Sequence, residues 1–171
     1  FINKGANTIV ENVFADLRPT ASHRGHLVLV RYPQDNAVIR GNIIYSCQPD
    51  QIAIGQSQGA RPGDKGARLR DCQSDKNLYW CTVDSEWGQS CIDTFREQGV
   101  EQNSIAADPQ FENPNRDNFQ LRDGSPALAL GVRQPVRTEQ TGVQDPYRSR
   151  WFKPRIWTTI SPQGGRLTSD T

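Results

Sequence analysis

Two histidines, His23 and His26, stand close together with Arg24 and Arg31 beside them. Imidazoles move protons near neutral pH and a guanidinium grips a carboxylate, so this grouping can serve as base and anchor for an acidic sugar. Farther on, Tyr79, Trp80, Glu86 and Trp87 place flat aromatic faces next to an acid. Such faces stack on pyranose rings, and part of the group can equally belong to a core. Asp16 is a further candidate acid, or else a solvated turn residue. The candidate catalytic groups are therefore Asp16, Glu86, His23 and His26, and the candidate substrate contacts are Arg24, Arg31, Tyr79, Trp80 and Trp87. There is no Walker loop, dinucleotide fingerprint, G-x-S-x-G or H-E-x-x-H. No metal ligand set emerges.

These residues need a frame, and a repeat supplies one. Thr8–Phe14, Val38–Tyr45 and Lys76–Trp80 align on Asn12, Asn42 and Asn77, at intervals of 30 and 35 residues. Such intervals suit stacked chain turns. An asparagine amide both donates and accepts, so a column of them can form a ladder where each turn bends, whereas an aspartate column would repel itself. The columns Val13/Ile43/Leu78 and Phe14/Ile44/Tyr79 are apolar throughout, as stacking requires. Arg40 and Asp75 share a column and can form a cross-strand ion pair. The alternative is three unrelated strands that each follow an Asn. His26–Tyr32 reads as a further strand, and Gln56–Asp71 as a polar excursion. Asp84–Gly99 is the one persuasive helix, capped by Ser90 or Asp93, with Ile92, Phe95 and Trp87 on its apolar face and Gly99 at its end.

The punctuation from Ser104 to Gly131 is the densest in the chain. Asp108-Pro109 and Asn113-Pro114 set turns, Phe111, Phe119 and Leu121 supply apolar beats, and Asp123-Gly124-Ser125-Pro126 turns again before Ala127. The pattern S-x-x-x-D-P-x-F, D-x-F-x-L, G-S-P-A-x-x-x-G is carried by Ser104, Asp108, Pro109, Phe111, Asp117, Phe119, Leu121, Ser125, Pro126, Ala127 and Gly131. It resembles the segment that closes the last coils of right-handed parallel β-helix proteins, many of them secreted polysaccharide-degrading enzymes. The resemblance implies an all-β fold, a right-handed parallel β-helix (solenoid): C-terminal coils over 1–131 with one short helix, and an irregular capping tail over 132–171. It implies a glycoside hydrolase acting on a polysaccharide, with a polysaccharide lyase or a non-catalytic glycan-binding adhesin as alternatives. No cofactor is expected, apart from a calcium ion on the lyase reading. Glu101 stands where that family commonly has an aspartate. Strands about 4.8 Å apart would set acids on neighbouring coils near the separations of roughly 5–5.5 or 6.5–9.5 Å used in glycoside hydrolysis.

Composition agrees with short strands and many turns: of 171 residues, 14 are Gly and 11 Pro, and only 35% are hydrophobic. Twenty basic against 19 acidic residues give no field that would recruit nucleic acid or anionic membrane. The expected partners are a poly- or oligosaccharide and upstream coils, in the same precursor or a separate chain. No apolar run is long enough for a membrane-spanning helix. Cys47, Cys72, Cys81 and Cys91 lack a C-x-x-C spacing, so disulfides outrank zinc, with three pairings open. Four buried thiols are the rival reading. Phe1 and the lack of methionine point to a piece of a longer precursor, and the localisation expected is secreted, periplasmic or cell surface.

Overall fold

The strands pair where the asparagines align. β1 (Thr8–Val10), β4 (Val38–Arg40) and β7 (Gln73–Asp75) form one parallel sheet. β2 (Val13–Ala15), β5 (Ile43–Ser46), β8 (Leu78–Cys81) and β9 (Ile105–Ala106) form a second, and β3 (Val28–Val30) pairs in parallel with β6 (Ile54–Gln56). Val13, Ile43 and Leu78 lie in one register column and Phe14, Ile44 and Tyr79 in the next. The structure, a computed structural model, describes residues 6–15, 26–30, 36–56, 68–135 and 137. These all fall within one compact unit, Phe1–Arg137.

Each asparagine follows a residue in the left-handed region: Glu11 at φ 57°, Gly41 at 64° and Lys76 at 55°. That single residue turns the chain from one sheet into the next, at a cost of roughly 1–2 kcal/mol where it is not glycine. The ladder offsets this. Asn12 N and Nδ2 donate to Asn42 Oδ1 at 3.0 and 3.2 Å, and Asn42 N and Nδ2 donate to Asn77 Oδ1 at 2.9 and 3.0 Å. The second amide hydrogens of Asn42 and Asn77 reach Ile9 O and Ile39 O, both at 3.0 Å. Asn77 in turn donates through Nδ2 to both carboxylate oxygens of Glu101, at 3.0 and 3.1 Å, and through its backbone N to Ser104 Oγ at 2.9 Å. Ser74 Oγ and Ser104 Oγ donate to the same carboxylate. Glu101 is completely buried, so an acceptor-only group ends the ladder where a further asparagine would have continued it.

The expectation of an all-β right-handed parallel β-helix is corrected by this topology. The parallel sheets hold only three, four and two strands, they do not close into a solenoid, and helices and an antiparallel pair complete the unit. After β8 the chain leaves as α1 (Trp87–Arg96) and returns as the two-residue β9 in one sheet alone. It then reverses: β10 (Phe111–Asn113) and β11 (Asn118–Leu121) are antiparallel, with Phe111 opposite Leu121. Left-handed Gln110 and Asp117 and the turn at Pro114–Arg116 produce that reversal, which the spacing of Phe111, Phe119 and Leu121 does not announce. Ser125 closes the segment by donating to Pro109 O at 2.7 Å and accepting from Ala127 N at 3.2 Å, where it caps α2 (Pro126–Ala129). The Asp-Pro and Gly-Ser-Pro-Ala turns are thereby one interlocked unit.

Each face of the four-stranded sheet carries a buried cluster, with Tyr45 and Trp80 half-buried at the edge of the second. Ile44, Tyr79 and Cys81 belong to one cluster with Trp87, Ile92 and Phe95 of α1; Ile43 and Leu78 belong to another with Phe111, Leu121, Ala127 and Val132. The helix begins after Glu86, so Ser90 and Asp93 lie inside it and do not cap it. Gly88 lets α1 approach closely, since a Cβ there would lie 2.7 Å from Tyr79 O and 3.1 Å from Ala106 Cβ. Alanine at Gly88 would gain about 1 kcal/mol of helix propensity. Overpacking against backbone costs roughly 1–3 kcal/mol, so Gly88→Ala should destabilise the unit on balance, read as a lower urea midpoint.

Candidate functional site

Alternation along β5 and β8 decides which side chains reach solvent. Tyr45 and Trp80 are half-buried and share a register position with Ala15, while their neighbours Ile44 and Tyr79 are fully buried. Tyr45, Trp80, Thr82, Asp108, Gln110, Phe111, Pro114 and Arg122 line a cleft of about 370 Å³. A second cleft of about 460 Å³ shares Tyr45, Thr82 and Pro114 with it and adds Ala15, Cys47, Asn115, Asp117 and Phe119. Small-ligand sites run to roughly 300–1,000 Å³, so each cleft is of useful size.

The ring positions are fixed from below. Phe111 meets Tyr45 edge-on at 5.4 Å between centroids and Phe119 at 5.1 Å. Trp80 stands one strand over from Tyr45, about 4.8 Å away across the sheet. The two rings form an apolar floor, and Ala15 leaves the next position open. Asp108, Asp117 and Arg122 supply charge along the walls. Asp108 Oδ1 accepts from Gln110 N at 2.8 Å, and Arg122 Nη2 donates to Glu112 O at 3.1 Å, so both side chains are oriented. A flat apolar floor with polar walls suits a ligand that has apolar faces and many hydroxyls.

Of the candidate catalytic and substrate-contact residues that fall among the described residues, Trp80 alone lines these clefts. Tyr79 is buried, and Trp87 is 6% exposed with Nε1 donating to Gln51 O at 3.0 Å. Glu86 is exposed before α1, its backbone N–H bonded to Asp84 Oδ1 at 3.0 Å. His26 is half-buried and lies against Gly55, where a Cβ would come within 2.1 Å of its Cδ2. Asp16, His23, Arg24 and Arg31 lie outside the described residues, as do the tail aromatics Trp151, Phe152 and Trp157. Arg40 and Asp75 do share a register position, but both Asp75 oxygens accept from Asn103, at 2.7 Å each. Tyr45, Asp108, Asp117 and Arg122 come from separate segments. Tyr45, like Trp80, stands three residues after its asparagine, and Asp108 and Asp117 belong to the turn pattern between Ser104 and Gly131, where they read as punctuation and not as site residues.

Among the described residues no group of three His, Cys, Asp or Glu side chains converges as a metal site, and no helix is long and apolar enough to cross a membrane. Among the described residues Tyr79 Oη is a buried polar atom with no hydrogen bond of good geometry, and burial first, then the nearby Glu101 carboxylate, holds its pKa well above the ordinary tyrosine value. Burial, then Asp71, pushes the Cys72 thiol up from 9.0 to about 11. Both groups lose their protons at lower pH in the unfolded chain than in the folded one. The unfolded state therefore binds fewer protons over that window, and stability falls as pH rises through it. Urea midpoints should drop between about pH 8 and about pH 10.5, and a midpoint that holds steady would contradict the burial of these two groups.

No protein-family model, curated protein or solved structure matches the chain.

Proposed function

We propose that the chain is part of a secreted carbohydrate-active protein and holds an oligosaccharide along the Tyr45–Trp80 face. One observation carries the reading: two aromatic rings in register on adjacent strands, open to solvent in clefts walled by Asp108, Asp117 and Arg122. Aromatic faces stack on the apolar faces of pyranose rings, and carboxylates and guanidinium bond the hydroxyls at the rim. The formal net charge of +1 favours a neutral glycan, gripped locally, over a polyanion.

Glycoside hydrolysis is the activity that best fits such a groove, because Asp108 and Asp117 put carboxylates in its two halves. A non-catalytic glycan binder is the second reading, supported by the same rings without use of the acids. The partner along the chain is a further segment, in the same precursor or a separate chain, lying against β1 and β2. Those strands are the outermost of their sheets, and Val10 is 41% exposed there.

Passing the protein over a panel of insoluble neutral polysaccharides tests the reading. Retention on at least one matrix, competed by its soluble oligosaccharide, is expected. Passage through every matrix would overturn it. Release of reducing ends from the retaining polysaccharide, lost in Asp108→Asn, separates the hydrolase from the binder.

A further inference from the structure

Cys81 ends β8 on the same sheet face as Tyr79, two register columns beyond it, and its register partner is Ser46. Cys91 lies on α1, packed against the buried cluster that contains Cys81. Two contacts place the helix over that strand. Gly88 backs onto Tyr79 O, and Cys91 follows Gly88 by three residues, on the same helix face. Trp87, four residues before Cys91, donates to Gln51 O, while Gln51 Oε1 is the acceptor of a bond from Ser46 Oγ, the residue paired with Cys81. The start of α1 is thus held at the Ser46–Cys81 end of the sheet, with Cys91 one turn farther along the same face.

We propose that Cys81 and Cys91 are a disulfide pair, joined when the chain folds in an oxidising compartment. The bond fixes α1 to β8, over the face of the sheet opposite the Tyr45–Trp80 groove. The reaction is thiol–disulfide exchange with a small-molecule disulfide. The Cys91 thiolate, half-exposed, attacks one donor sulfur and releases one donor thiol. The Cys81 thiolate then attacks Cys91 Sγ and releases the second. Two protein thiols lose two protons and two electrons, and the donor disulfide is reduced to two thiols. In the folded, reduced protein, burial and then the nearby Cys81 push the Cys91 thiol up to about 12, so exchange after folding is slow at neutral pH and accelerates as pH rises.

The sequence offers a direct assay, because Lys76 and Arg96 bracket a tryptic peptide that contains Cys81 and Cys91 and neither of the other cysteines. The full chain, refolded with oxidised and reduced glutathione and then alkylated and digested without reduction, should yield that peptide two hydrogens lighter and free of alkylation. Cleavage after Glu86 should leave its halves joined until a reductant is added. Alkylation of both cysteines, or linkage of either to Cys47 or Cys72, would overturn the pairing. No variant is needed, so a folding defect cannot confuse the result.

Discussion

Asn77→Leu should destabilise the unit by roughly 3–5 kcal/mol, a large share of the stability of a domain this size. Leucine has the same branched heavy-atom skeleton as asparagine, with two bulkier methyl groups in place of the amide oxygen and nitrogen, so it removes the functional amide and adds some overpacking. Asn42 N and Nδ2 would lose the acceptor they share, Ile39 O would lose a donor, and the buried Glu101 carboxylate would lose one amide that bonds both its oxygens. None of these groups can turn to water, because Asn42, Asn77 and Glu101 are all fully buried. Asn12→Leu is the control. Asn12 is exposed, so water replaces its bonds, and the cost should stay below about 1 kcal/mol. Equal shifts in the urea midpoints of the two variants would contradict the view that the ladder is tightest at its Glu101 end.

Trp80→Ala should weaken glycan binding ten- to hundredfold. Removing a ring that covers one sugar face forfeits about 1.5–3 kcal/mol of apolar burial, which corresponds to that range in Kd. Tyr45→Ala should weaken binding less, because its ring also packs on Phe111 and part of the loss falls on stability. Trp87→Phe removes a tryptophan that lies in the core on the opposite face of the sheet and bonds Gln51. It should leave the affinity unchanged while lowering the urea midpoint. The contrast separates a groove tryptophan from a core one.

The asparagine columns were legible in the sequence because a parallel register repeats each position: Val13, Ile43 and Leu78 align on paper and in the sheet. The asparagine ladder followed from the donor and acceptor capacity of one amide. Its ending did not, because a buried glutamate stands in a row where charge was expected to repel, and only the donors from Ser74, Asn77 and Ser104 make it tolerable. The fold class differs from the sequence expectation for a local reason. Two left-handed residues, Gln110 and Asp117, reverse the chain, and nothing in Phe111–Leu121 distinguishes an antiparallel pair from the edge of another parallel turn.

The site was legible in part. Tyr79 and Trp80 are adjacent, and strand alternation sends them to opposite faces; the bend after Asn77 hid which of them faces outward. Trp87 stands near Trp80 in sequence, but α1 carries it to the other side of the sheet, and Glu86 is exposed just before the helix. Asp108, Asp117 and Arg122 reach the clefts because the chain reverses around them; the turn pattern marks the two aspartates as punctuation and does not show that they face Tyr45 and Trp80. For the cysteines, spacing leaves three pairings open and all four are free thiols in the structure; the pairing of Cys81 with Cys91 is the one proposed from the packing of α1 on β8.

The central claim is that the Tyr45–Trp80 face holds a sugar, and calorimetric titration of the intact protein and of Trp80→Ala with the soluble oligosaccharide of the retaining polysaccharide tests it most directly. Saturable binding by the unaltered protein, weakened at least tenfold in a Trp80→Ala variant that is still folded under the titration conditions by its urea transition, is the expected result. Equal affinity in the two proteins would place the sugar elsewhere and contradict the account.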